Sequence, residues 1–204
     1  MNSLDFRSGD NMYRIGSKMF PVASKSKTKV FMDKNTIELE HTELADSLNQ
    51  EVFSLGRCYK NADIVCAKAR ELGLYAEYYS GWLFASSTLP IHHAWVVIEG
   101  NVVDTSISLS QMRALRSMNT TGENWRKKVA PKLQSMMKDK QQIKNDGVWG
   151  KIPEFLLYVG CPDTSSDAKS RFRHLLQKFP DHPSYAHKSD PLAMSDLQKE
   201  LKNL

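Results

Sequence analysis

A change of hydrophobic period at Gly73 constrains this chain more than any other feature. Before it, Ala62, Val65, Cys66 and Ala69 recur at the spacing of one helical face. After it, aromatic and apolar runs follow a strand pattern. The helical segment is introduced by Leu55-Gly56-Arg57-Cys58, where Gly56 lets the chain turn, and Gly73 closes the helix near Leu72. Cys58 therefore sits at, or within a turn of, a helix N-terminus. Leu74 to Ser80, with Tyr75, Tyr78 and Tyr79, continues into Gly81 to Phe84 and predicts a strand bent or bulged at Gly81. Ser86, Ser87 and Thr88 form a polar turn before Pro90. A second strand runs His92 to Ile98, turns through Glu99-Gly100-Asn101 and returns as Val102-Val103-Asp104. A helix followed by an antiparallel sheet is an α+β plan.

The flanks are read from the same signals. Residues 1–34 mix Ser, Gly and Lys with isolated apolar side chains and read as an irregular segment with one short strand near Lys29 to Met32. Ile37, Leu44, Leu48 and Val52 predict an amphipathic helix within Thr36 to Leu55, starting at Thr36 or nearer Thr42. Residues 107–204 read as helix-rich: a short helix from Ser110 to Arg116, a longer one from Trp125 to Lys144 interrupted at Pro131, one from Asp167 to Phe179 stopped by Pro180, and a last one in Ser189 to Leu204. Gly147 and Pro153 frame a turn, and Phe155 to Val159 is a late strand. At 204 residues, one domain spanning 1–204 is expected, with no internal repeat.

Composition narrows the function classes. The chain is 41% hydrophobic and 25% charged, which is ordinary for a soluble globular protein. Its formal charge of +5 permits an anionic partner without naming one. The lysines at 25, 27 and 29 and at 127, 128, 132, 138 and 140 accompany no nucleic-acid reading motif, so a solvated basic surface is preferred to nucleic-acid binding. The first residues carry no secretory pattern and no stretch is apolar enough for a bilayer, so synthesis in the cytoplasm and no membrane partner are expected, with later export or injection left open. Three cysteines cannot all pair within one chain, and free thiols are the simpler reading.

Thiol acyl transfer needs a nucleophile, a base and a group that orients the base. Cys58 at a helix start would feel unpaired backbone N–H groups and the helix dipole, which favour thiolate. Its own N–H could serve a tetrahedral oxyanion if a second donor lies nearby. His93 lies among apolar residues and needs its nitrogens satisfied. Asp104, ending the next strand, can reach it across the hairpin and hold the tautomer that turns the other nitrogen to sulfur. Taken singly, Cys58 fits a small buried hydrophobe, His93 a core histidine and Asp104 a turn cap. Together they match one site arrangement. Cys66 and Cys161 are assigned to packing, and His92, on the opposite strand face, is the second choice of base. A metal site is not expected: His92 and His93 point apart, and His182 and His187 lie near a proline-rich turn without a ligand motif. No nucleotide-binding loop is present, and no cofactor is required.

Gly56-Arg57-Cys58-Tyr59-Lys60-Asn61-Ala62, then His93-Ala94-Trp95, then Val102-Val103-Asp104-Thr105, is similar to the transglutaminase-like branch of the papain-like cysteine enzymes. The resemblance covers a catalytic core motif at 42–106. It implies a cysteine-started helix packed on an antiparallel sheet, with Cys58 as nucleophile, His93 as base and Asp104 as orienting residue. Two departures accompany it. The family often sets an aromatic immediately beside the nucleophile, whereas here Arg57 precedes Cys58 and Tyr59 follows it. Papain uses an upstream glutamine as oxyanion donor, a place only distantly matched by Gln50. Asn61 is read as a cap or brace of the turn, and Tyr79 and Trp82 as either cleft-lining or sheet-core aromatics.

The function expected from these residues is hydrolysis of an amide or peptide bond in a protein or peptide substrate through a Cys58 thioester, as a peptidase, amidase or glutamine deamidase. Crosslinking follows if a lysine amine outcompetes water. The alternative from another class is a catalytically silent triad in a binding protein, an adaptor or a phage-type or bacterial accessory protein. Basic patches and the helical C-terminal half would then provide the partner surface. In general, residues 107–204 are read as covering the cleft, binding a protein substrate or completing the core.

Overall fold

A computed structural model describes residues 12–15, 18–32, 42–53, 56–85, 91–117 and 146–178. Three helices contribute to the core beside the sheet: α1 (Thr42–Ser47), α2 (Cys58–Glu71) and, after most of the strands, α4 (Ser165–Lys178), with α3 (Leu109–Ser117) between them in sequence. A two-stranded hairpin pairs β1 (Met12–Ile15) with β2 (Lys18–Pro21). The main sheet is built from β3 (Lys29–Phe31), β4 (Ala76–Ala85), β5 (Ile91–Ile98), β6 (Asn101–Asp104), β7 (Val148–Gly150) and β8 (Leu156–Pro162). Its spatial order is β3-β8-β4-β5-β6-β7, and each neighbouring pair is antiparallel. The chain is thus α+β, with helices on an antiparallel sheet.

The helix expected from the period before Gly73 is α2. Its buried Ala62, Val65, Cys66 and Ala69 pack against Ala94, Val96 and Ile98 of β5 and Tyr78 of β4. Gly73, at φ +77°, ends it in a left-handed cap: its N–H donates to the Arg70 carbonyl and that of Leu74 to the Ala69 carbonyl. Alternation then splits each strand between two faces. Ala94, Val96 and Ile98 meet α2, whereas Trp95 and Val97 join Tyr79, Val102 and Tyr158 in a second core on the other side. Beyond α2, Phe20 and Val22 from the N-terminal region cover Trp82 and Phe84 of β4. Tyr79 and Trp82 are both fully buried and belong to the sheet core, not to an open cleft.

The β5–β6 hairpin has a two-residue connection, since Ile98 pairs with Asn101. Glu99 and Gly100 both take positive φ, 49° and 83°, which matches the right-handed twist of the strands. Glu99 is held in this uncommon conformation at both ends: its N–H donates to the Tyr75 carbonyl at 3.0 Å and its carboxylate accepts the Tyr75 N–H at 2.8 Å.

Several elements differ from expectation. The N-terminal stretch carries the β1–β2 hairpin besides the expected strand near Lys29, so it is not irregular throughout. The first helix is only Thr42–Ser47; Leu44 and Leu48 are buried but Val52 is 62% exposed, because the helix has ended before it. β4 runs through Gly81 without a bulge, paired in register on both sides. Gly81 instead faces Gly160 of β8, and a Cβ on either would collide with the opposing backbone, so this glycine pair serves close approach. Between Gly147 and Pro153 the chain forms β7 before turning. The helices expected in 125–144 and 189–204, together with Ile37, His182 and His187, lie outside the described residues. Among the described residues no helix is long and apolar enough to cross a membrane.

Candidate active site

Arg57 is the N-cap of α2 and makes no side-chain capping bond, and the first turn holds no acidic residue. The helix thus opens at Cys58, with its first N–H groups and positive dipole end directed at the thiol's own turn. Cys58 is half-buried, whereas Cys66 and Cys161 are buried and all three are free. Burial pushes both buried thiols up, away from the reactive thiolate form.

The start of α2 is set beside the end of β6. The Asn61 side-chain amide donates to the Thr105 carbonyl at 3.5 Å, so Asn61 joins the helix start to the end of β6 and not, as expected, to the turn before the helix. Since β6 ends at Asp104 and pairs with β5 only from Val96 to Ile98, the first part of β5 is bordered by β4 alone among the described strands. His93 lies in that part, where α2 can approach it. The register that pairs Val96 with Val103 also puts Asp104 on the same face as His93, one step away on the diagonal.

The side chains complete the arrangement. His93 Nε2 lies 2.7 Å from Asp104 Oδ2, and Cys58 is near enough to act on the His93 ring electrostatically. Both His93 and Asp104 are buried. Burial is the largest influence on His93 and alone would lower its pKa. The charges of Asp104 and then Cys58, with the hydrogen bond to Asp104, outweigh it and raise the imidazole to about 10. The geometry therefore favours an imidazolium held between a carboxylate and a sulfur.

Asp104 has further partners that the sequence did not single out. Its Oδ1 accepts the Ser106 N–H at 2.8 Å, and its Oδ2 also accepts the hydroxyl of Tyr158 at 2.9 Å. Tyr158 is on β8, with β4 and β5 between it and β6, so the bond spans the inner face of a curled sheet. Trp95 stacks against the His93 ring, with centroids 6.4 Å apart and planes 17° off parallel, and meets Tyr158 at 5.1 Å. The only signal available beforehand was strand alternation within Phe155 to Val159.

His92, the second choice of base, is in a different setting. Its Nδ1 is 2.7 Å from the Tyr59 hydroxyl, and its ring stacks on Phe172 with centroids 5.3 Å apart. Burial, then the positive charge of Arg171 and of His93, lowers it to about 3. His92 is therefore a neutral packed ring, and the structure joins Cys58 and Asp104 through His93 instead. Gln50 is exposed in the turn after α1. Among the described residues no group of three His, Cys, Asp or Glu side chains is arranged to hold a metal. No protein-family model, curated protein or solved structure significantly matches the chain.

Proposed function

We propose that the chain is a cysteine-nucleophile hydrolase of amide or peptide bonds, with a transglutaminase-like core in the papain-like manner. The observation that carries this reading is the buried His93–Asp104 pair, 2.7 Å apart, with Cys58, at an uncapped helix start, near enough to influence His93. A half-exposed sulfur beside a charged imidazole is a setting for nucleophilic attack, whereas a cysteine used only for packing needs neither partner. The Cys58 thiolate adds to the carbonyl carbon of the substrate. The oxyanion forms beside the backbone N–H groups at the start of α2. As the C–N bond breaks, the His93 imidazolium gives its proton to the leaving amine, and a Cys58 thioester remains. His93, now neutral, takes a proton from water as that water attacks the thioester; the C–S bond breaks, the acid product leaves, and the Cys58 thiolate and His93 imidazolium are restored, the proton from water replacing the one given to the amine. With a glutamine side chain as donor the same steps release ammonia.

The test is the pH dependence of Cys58 alkylation, followed by intact mass, in the wild type, His93→Ala and Asp104→Ala. The expected result is a rate that persists well below the ordinary thiol pKa of about 8.5 and loses this persistence in His93→Ala. Slow labelling of Cys58 with an ordinary thiol profile, unaffected by either substitution, would support the silent binding module instead.

A further inference from the structure

We propose that Tyr158 is a positioning residue of this site, holding Asp104 Oδ2 beneath His93 so that the carboxylate keeps its bond to Nε2. The inference rests on the reading of Cys58, His93 and Asp104 as one active site.

A carboxylate removed from water needs donors to stay charged. Asp104 is 1% exposed, and its donors are the Ser106 N–H on Oδ1 and, on Oδ2, His93 Nε2 and the Tyr158 hydroxyl. The two donors on Oδ2 differ in kind. His93 is the group that must move protons, so its bond changes character during a catalytic cycle. Tyr158 is fully buried, and burial first, then the charge of Asp104 and its hydrogen bond, push the phenol well above its ordinary value. It therefore stays a donor throughout the range in which His93 works. Charge-assisted bonds of this type are roughly twice as strong as neutral ones. The hydroxyl also fixes the azimuth of Oδ2, since the ring that carries it is wedged against Trp95, which in turn stacks on His93.

The surroundings leave few other groups to supply this effect. The titratable side chains facing the His93–Asp104 pair are Cys58 from α2, Tyr158 from β8 and, behind the strand, neutral His92. Tyr79 of β4 lies on the same face with its ring stacked on Trp95. From β7 the residue opposite Asp104 is Val148, which is apolar, and Gly147 brings backbone against the Asp104 carbonyl.

The experiment is a pH titration of the full chain, labelled with 15N-histidine, in the wild type, Tyr158→Phe, Asp104→Asn and the double variant. The titration of the His93 ring, raised in the wild type by Asp104, is expected to move down by about one pH unit in Tyr158→Phe, because Oδ2 no longer held by the phenol holds Nε2–H less well. In the Asp104→Asn background the tyrosine substitution is expected to leave the His93 profile unchanged. A His93 titration that is unchanged or moved up in Tyr158→Phe overturns the inference, even if the variant melts at a lower temperature, because phenylalanine keeps the packing and removes only the hydroxyl. Ordinary alkylation of wild-type Cys58 would defeat the enzyme reading separately, with the nitrogen shifts still deciding the role of Tyr158.

Discussion

His92 and His93 are neighbours on β5, both buried, yet the two faces of one strand drive them in opposite directions. On the face shared with Tyr59 and Phe172, His92 has a phenol and an aromatic ring for company and Arg171 nearby, and its pKa falls to about 3. On the other face His93 has burial working against its charge, but Asp104 and Cys58 overcome it and raise the ring to about 10. Burial alone therefore does not decide the state of a histidine; the charge set opposite it does. Strand alternation is enough to separate a neutral packing ring from a charged one by a single residue.

The sharpest way to break this comparison is to replace each ring in turn. His93→Gln is expected to lower Cys58 alkylation at pH 6 by about tenfold or more, whereas His92→Gln changes it by about twofold or less, as intact mass would record. Equal losses in both variants would mean that the two faces act as one site. Next in size is the space on the His93 face. A Cβ at Gly160 meets the Ser80 carbonyl and the Trp95 indole, so Gly160→Ala is expected to destabilise the fold by about 3 kcal/mol in urea unfolding, with Trp95 displaced from His93.

Stability against pH sharpens the same contrast. His92 binds its proton less readily folded than unfolded, so the unfolded state takes up the extra proton as pH falls below about 6.5, and folding weakens. This contribution amounts to about 2 kcal/mol between pH 7 and pH 5, and His92→Phe is expected to remove it from the unfolding curves. His93 works with the opposite sign. Its raised pKa gives stability that is complete below about 6.5 and is lost as pH rises towards about 10, so His93→Gln flattens the alkaline side instead.

Much of this arrangement is legible in the residues themselves. The period before Gly73 locates α2, the apolar runs around Glu99-Gly100 locate the hairpin, and period-two alternation places His93 and Asp104 on one face. Those are local rules acting over a few residues. Tyr158 obeys none of them: its partner is 54 positions away and three strands across, and only the curl of the sheet brings them together. Gly81 departs from the expected bulge for the same reason. A glycine within a strand signals a bulge or a close approach, and the deciding fact, Gly160 opposite it, belongs to a distant strand. The β1–β2 hairpin carried a usable signal, Gly16-Ser17 between two short runs, but polar residues within those runs hid their alternation.

The smallest expected effect tests whether His92 is only a packed ring. Tyr59 directly follows Cys58 on α2, so its hydrogen bond to His92 Nδ1 ties the packing cluster to the residue next to the nucleophile. With His92 neutral, the phenol donates to Nδ1 and the ring proton resides on Nε2. Tyr59→Phe keeps the ring near Phe172 and removes that donor, leaving a buried nitrogen unsatisfied at a cost of about 1 kcal/mol in unfolding free energy at pH 7. Cys58 alkylation is expected to change by about twofold or less, since the imidazolium that serves the sulfur is His93, held from the opposite face by Asp104. A loss approaching that of His93→Gln would show that Tyr59 positions the nucleophile through its hydroxyl, and His92 would then belong to the site and not to the core.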